Sequence, residues 1–293
     1  MFNRILLPLD GSDIAENALA YGEELAGKFG SELVLYHVHG QEHQYQEHMF
    51  HVYLDSTAES MQNHMNSKIK ISTIVEAGEP TENICNLVDR NNIDLIIMTA
   101  VSSAGYKIGK LLGSVTDHIC RNVPIPVMLI RPNSVKPPYP DGQFFKRILV
   151  PLDGSELSNL ALPVAEELAA RLKLSTTLFQ MANMIRLYDS GYGVVTYPNY
   201  SALNEQEKER ATTDLNTIQE SLKQKGLDVT STVILGFDAA YEIIEICKKA
   251  NIDLVVMSTH GRTGLGRWVF GNVAEKVLRH GETHLLLVHA ATG

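Results

Sequence analysis

The sequence repeats itself. NRILLPLDGS, Asn3–Ser12, returns as KRILVPLDGS, Lys146–Ser155, and NNIDLIIMTA, Asn91–Ala100, returns as ANIDLVVMST, Ala250–Thr259. A third block, GSVTDHICRN with the following PIPVMLI, between Gly113 and Ile130, returns as GNVAEKVLRH and THLLLVH between Gly271 and His289. Three blocks kept in order at similar spacing require one structural unit written twice, each of roughly 140 residues, an ordinary domain size. The expected organisation is a first domain at 1–131, a linker at 132–145 and a second domain at 146–293. The segment RPNSVKPPYPDGQFF, Arg131–Phe145, reads as a linker because it is rich in proline and has no periodicity, and it should be stiff rather than floppy.

Within each unit, short apolar runs alternate with helical patterns. The first predicts strands at Arg4–Leu9, Glu32–Val38, Lys70–Val75, Leu95–Thr99 and Val127–Ile130, with helices at Asp13–Phe29, Val52–Ser67, Thr81–Asn91 and Ser114–Arg121. The second predicts strands at Arg147–Leu152, Thr176–Met181, Val229–Leu235, Leu254–Ser258 and His284–Val288. Five strands alternating with helices imply an α/β fold with a parallel sheet covered on both faces. Composition agrees: 44% hydrophobic and 20% charged residues over 293 positions suit globular cores and exclude disorder. No apolar run is long enough to span a bilayer, and MFNRILLPLDGS reads directly as a strand rather than a signal peptide. A net charge of −9 argues against a general nucleic-acid binder. Cys85, Cys120 and Cys247 are widely separated with no C-x-x-C or zinc spacing, so they read as small buried hydrophobes in a reducing cytoplasm.

The most informative stretch runs from Ile252 to Arg279. An apolar strand, Ile252–Met257, leads into a glycine-rich loop, Ser258–Gly271, and Asn272 then opens a helix with Glu275 three residues on, a pattern like a capping box. Such an arrangement builds an anion site, because glycines let backbone approach a phosphate and the first helical turn presents unbonded N–H groups. Arg262 and Arg267 would add charge-assisted contacts. The spacing is neither a Walker A loop nor a G-x-G-x-x-G fingerprint, and it also fits a tight turn with two solvated arginines.

With Gly261 and Gly271 separated by nine residues, the loop resembles the nucleotide loop of the universal stress protein family, whose ATP-binding members carry G-x2-G-x9-G-[ST]. Ser258 stands at the first glycine position and Asn272 at the Ser/Thr position, which are departures from the pattern. The resemblance covers nearly the whole chain, twice. It implies two tandem five-stranded parallel sheets of order 3-2-1-4-5 flanked by helices, similar to adenine nucleotide alpha-hydrolases. That order opens a crevice at the carboxyl ends of strands 1 and 4, where open α/β sheets bind ligands. The resemblance further implies ATP or another adenine nucleotide, with or without Mg. Its ligands in this chain would be Pro151, Asp153, Met181, Met257, Ser258, His260, Gly261, Arg262, Gly264, Arg267, Gly271 and Asn272. Read from the residues alone, Asp10 and Asp153 in the PLDGS turns also fit a purely structural role in satisfying turn amides.

The first unit departs further, with Thr99, Ser102 and Ser103 in the region of the first two glycines, so its site is expected to be degenerate, although Lys107 and Lys110 keep positive charge there. His37, His39, His43, His48 and His51 form a His-rich tract that fits solvated histidines better than a metal site. Leu187–Tyr200 is an insertion that fits a lid, a partner surface or a plain loop. No catalytic constellation and no metal set is evident, so the expectation is a cytoplasmic nucleotide-binding regulator with an unknown protein partner. A pseudo-two-fold pairing of the domains, and a homodimer, are compatible with it. The alternatives are a slow Mg-dependent ATPase and a nucleotide-free interaction module.

Overall fold

The computed structural model describes residues 1–41, 46–64, 69–101, 112–184, 200–260 and 270–289. The first half contributes β1 Arg4–Pro8, α1 Asp13–Phe29, β2 Glu32–His39, α2 Glu47–His64, β3 Ile71–Ala77, α3 Pro80–Arg90, β4 Leu95–Thr99, α4 Ser114–Asn122 and β5 Val127–Ile130. The second contributes β6 Arg147–Leu152, α5 Ala161–Leu172, β7 Ser175–Asn183, α6 Tyr200–Gln224, β8 Val229–Gly236, α7 Ala239–Lys249, β9 Leu254–Ser258, α8 Asn272–His280 and β10 His284–Val288. Short 3-10 turns occupy Pro132–Ser134 and Ser158–Leu160. The strands lie where the apolar runs predicted them. Helix α2 starts five residues before Val52, taking in His48 and His51.

Order 3-2-1-4-5 holds in each half, but the two sheets are one. The strands run β3-β2-β1-β4-β5-β10-β9-β6-β7-β8 as a single ten-stranded sheet. All pairings are parallel except β5 with β10, which is antiparallel, with Leu286 opposite Met128 and Leu285 opposite Leu129. Met128 and Leu286 occupy equivalent places in the two halves, each paired within its half with the matching residue of β4 or β9. A pseudo-two-fold axis therefore passes between them. Successive strand residues point to opposite faces, and both faces are covered. Leu7, Ile97, Met128, Val150, Val256 and Leu286 belong to one buried cluster, and Leu6, Ile96, Leu129, Leu149, Val255 and Leu285 to the other. Each cluster draws on both halves, so the core does not stop at the junction.

The same symmetry governs the contacts around the axis. Arg121 of α4 bonds Glu275 of α8 at 2.7 Å and its own helix's Asp117 at 3.0 Å. Its counterpart Arg279 bonds Glu275 at 2.5 Å and reaches Asp117 at 3.4 Å. The last turns of the two helices are held by equivalent but chemically different side chains. Arg131 donates to the carbonyl of Leu278, and His289 lies 2.7 Å from the carbonyl of Cys120 through Nε2 and 2.9 Å from that of Ile125 through Nδ1. Cations favour helix C-termini. Burial pulls His289 below the usual histidine range.

The chain between the halves is fastened at several points. The Tyr139 hydroxyl donates to Asp253 at 3.0 Å, Phe144 N–H donates to Glu24 of α1 at 3.1 Å, and Phe144 and Phe145 pack on Tyr21. His284 accepts from the Arg131 N–H at 3.0 Å through Nδ1, which leaves the proton of the neutral ring on Nε2, facing the Tyr21 hydroxyl at 3.1 Å. The repeated NID segments have a structural purpose. Asp94 takes the N–H groups of Asn3 and Arg4, and Asp253 takes those of Lys146 and Arg147, so each carboxylate sets the start of its first strand against its fourth.

Candidate functional site

In both halves the first strand ends in an aspartate followed by a glycine with positive φ, 79° at Gly11 and 78° at Gly154, a conformation open to glycine at no steric cost. The tight turn lets the aspartate receive the next serine twice. Asp153 Oδ1 accepts from Ser155 N–H at 2.9 Å and from its hydroxyl at 2.6 Å, and Asp10 accepts from Ser12 at 3.1 and 2.5 Å. The turn thus fixes each carboxylate at the carboxyl end of the central strand. The purely structural reading of these aspartates is satisfied by one oxygen, Oδ1.

Beside it, β9 ends in Ser258 and the buried Thr259. Thr259 N–H donates to Val288, and Gly271 N–H donates to the Thr259 carbonyl at 2.9 Å, which pins both stems of the loop. Ser258 Oγ accepts from His260 N–H at 3.3 Å, the Thr259 hydroxyl lies 2.9 Å from His260 Nδ1, and the buried His260 Nε2 has no hydrogen-bond partner among the described residues. The N-cap of α8 is Gly271, in extended conformation and with no side-chain cap bond. This corrects the capping expectation. Asn272 is the first helical residue, and Glu275 turns to Arg121 and Arg279 instead of reaching back to the helix start. Among the described residues no side chain caps the first-turn N–H groups of α8. In the first half Gly113 stands likewise before Ser114, again with no side-chain cap bond.

Between these two loop systems lies a cavity of about 410 Å³. Pro151, Asp153, Met181, Met257, Ser258, His260, Gly271 and Asn272 all line it, so residues far apart in sequence converge as expected. Gly261, Arg262, Gly264 and Arg267 lie outside the described residues, as do Ser102, Ser103, Lys107, Lys110 and His43 and most of the Leu187–Tyr200 insertion. Phe179 and Ile243 complete an apolar floor with the two methionines. The sequence reading missed Asn183, Phe237, Asp238 and Lys276, which also line the cavity. Lys276 had a legible signal, since it lies four residues after Asn272 and so shares its helix face. Asp238 caps α7, accepting from Ala240 and Tyr241 N–H at 3.1 and 3.3 Å, and bonds Lys276 Nζ at 2.7 Å. The Lys276 ammonium holds its carboxyl below the usual range.

The matching cavity of the first half is about 160 Å³. There Tyr36 replaces Phe179 and sends its hydroxyl to Glu76 at 2.6 Å, Val38 replaces Met181, and Thr99 bonds the Val101 carbonyl. His37 and His39 are buried and face the carbonyls of Leu9 and Gly40 through Nδ1. Among the described residues no group of three or more His, Cys, Asp or Glu is arranged to hold a metal ion.

Known proteins match this chain along its length. The model of the universal stress protein family matches residues 1–131 and again 144–289. A universal stress protein of Methanocaldococcus jannaschii, MJ0531, is 27% identical over 144 residues, covering 49% of this chain and 82% of that protein. The universal stress protein E homolog of Haemophilus influenzae is 26% identical over 256 residues, 85% of this chain and 77% of its own length. The crystal structure of a universal stress protein from Archaeoglobus fulgidus superposes with a TM-score of 0.73 at 19% identity, covering 99% of both chains, which shows a shared fold. By sequence in both halves and by fold throughout, the chain belongs to the universal stress protein family.

Proposed function

We propose that the chain binds an adenine nucleotide, ATP or a close relative, in the second-half cavity and acts as a regulatory module of the stress response with little or no hydrolysis. The observation that carries this reading is the placing of an anchored carboxylate, Asp153, and an uncapped helix N-terminus, that of α8, around one apolar floor. Phosphate is drawn to α8 because no side chain among the described residues caps its first-turn N–H groups, whereas α7, the other helix opening on the cavity, is already capped by Asp238. A base packs against Met181, Met257 and Phe179, and Asp153 takes donors from ribose or base. His260 Nε2 is the described imidazole atom to aim at a phosphate oxygen. Magnesium would travel with the phosphates, since the described residues offer it no cage.

The first-half cavity is proposed as degenerate because it is much the smaller and is edged by the Tyr36–Glu76 bond. A cytoplasmic location is supported by the three free cysteines. No helix among the described residues is long and apolar enough to cross a membrane. Exposed Phe237 and Tyr241 beside the cavity favour a protein partner docking at its mouth, which is the second reading.

The test is mass spectrometry of the small molecules released when freshly purified protein is denatured, with stoichiometry. About one ATP per chain is expected from a single binding half. ADP alone would shift the reading to a slow ATPase. Two nucleotides per chain would refute the degenerate first site. No nucleotide, with no thermal shift on adding ATP, would leave an interaction module.

A further inference from the structure

Two walls of the larger cavity are joined by one ion pair. Lys276 lies one turn into α8 on the face shared with Asn272, and long helical side chains lean back toward the helix N-terminus. Its Nζ is 2.7 Å from Asp238 Oδ2, and both residues line the cavity. The pair is half exposed, 53% at the lysine and 46% at the aspartate, so it is weakly held. Asp238 does not depend on it, because Oδ1 already accepts two N–H groups at the start of α7. The lysine can leave without stranding the carboxylate.

Among the described residues the first half has no such pair. The residue four places after Ser114 is His118, and α3 opens on Pro80 after an N-cap, Glu79, that makes no side-chain cap bond. The device is confined to the cavity large enough for a nucleotide.

We propose that Lys276 is a parked phosphate ligand: its ammonium rests on Asp238 and transfers to a phosphate oxygen of the nucleotide at the α8 N-terminus. The inference rests on the nucleotide reading above and adds to it the cation that distinguishes phosphorylated ligands from the bare nucleoside. Charge-assisted hydrogen bonds to phosphate are the strong ones, and the helix N-terminus and the lysine then act on the same group. Transfer also breaks this ion pair between α7 and α8, so that polar tie between two cavity walls becomes sensitive to the ligand's phosphates.

The experiment is titration calorimetry of the full chain with ATP and with adenosine, for the wild type, Lys276→Gln, Lys276→Arg and Asp238→Asn. Lys276→Gln is expected to weaken ATP about tenfold, the loss typical of one charge-assisted bond, and to leave adenosine unchanged. Lys276→Arg should restore most of the ATP affinity. Asp238→Asn keeps a cap oxygen and releases the lysine, so ATP should bind about two- to fivefold more tightly, in keeping with a weak exposed pair. Equal losses for ATP and adenosine in Lys276→Gln, or no loss of ATP, would overturn the role of the lysine. Unchanged or weaker ATP binding in Asp238→Asn would overturn the parking. A wild type that binds neither compound would instead sink the nucleotide reading together with this inference.

Discussion

Two cavities sit at equivalent places on one sheet, and they differ in what lines them rather than in what builds them. The DGS turn, the pinned loop stems and the glycine N-cap are present in both halves at nearly the same distances. The lining is not: Phe179 and Met181 face about 410 Å³ in the second half, while Tyr36 and Val38 face about 160 Å³ in the first. Repetition of a motif therefore reports scaffold, and function has to be sought where the repeats diverge. The Asp94 and Asp253 pair makes the same point, since both are repeated and both hold the start of a strand.

The largest expected effect tests whether the halves are energetically equivalent at their junction. Met128 and Leu286 are fully buried on the pseudo-axis. Met128→Ala and Leu286→Ala should each cost about 2–5 kcal/mol in a single cooperative denaturant transition, because both core clusters cross the junction. Unequal losses or two separated transitions would break the equivalence.

Acid should then expose an asymmetry. Burial, with Arg131 nearby, pulls His284 down to about 4, whereas burial lifts the Glu24 carboxyl to about 7. His284 has a depressed folded pKa, so the stability it contributes is present above its unfolded value of 6.5 and is lost as pH falls toward 4. Glu24 has a raised folded pKa, so its contribution is present below 4.5 and is lost as pH rises toward 7. Between pH 4.5 and 6.5 these two contributions run in opposite directions, each with a slope of about 1.4 kcal/mol per pH unit. Glu24→Gln should therefore lose about 3 kcal/mol more than the parent between pH 6.5 and 4.5, measured by urea denaturation at each pH.

The sharpest contrast between the cavities comes from their aspartates. Asp153→Ala is expected to weaken ATP roughly 10- to 100-fold, the loss of a charged hydrogen bond, while Asp10→Ala leaves affinity and stoichiometry unchanged in calorimetry. The smallest effect is Tyr36→Phe, which copies the second half and removes the bond to Glu76, costing about 1 kcal/mol of stability. It should open the first cavity without giving it nucleotide; measurable ATP binding there in a chain that also carries Asp153→Ala would show that Tyr36 alone closes the first site.

Much of this was legible in advance, for identifiable reasons. Buried parallel strands such as Leu254–Ser258 are uniformly apolar, so their limits stand out. The converging residues of the second cavity follow from strand order once the loops after β6 and β9 are recognised. The joining of β5 to β10 was not legible. Both are apolar on both faces apart from His284, and side-chain pattern carries no record of which backbone edge is paired. The early start of α2 was hidden because Glu47, His48 and His51 are polar and exposed, and Met49 and Phe50, adjacent in sequence, make no helical stripe. Asn272 was misjudged as a cap because its side chain suits capping, whereas the backbone puts Gly271 at the cap. Asp238 and Lys276 are separated by a helix and a strand, and only folding makes them a pair.

The antiparallel junction has a consequence for how such a protein can change. A symmetric dimer of one gene product must carry every substitution twice, once on each side of its axis. Here the axis runs through a single chain, so a residue can be altered on one side alone. Arg131 and His289 have parted in this way while still holding equivalent helix ends, and so have Phe179 and Tyr36. Covalent duplication keeps the geometry of a dimer and releases its two members from identity, leaving one free to retain a ligand and the other free to drift toward a different task.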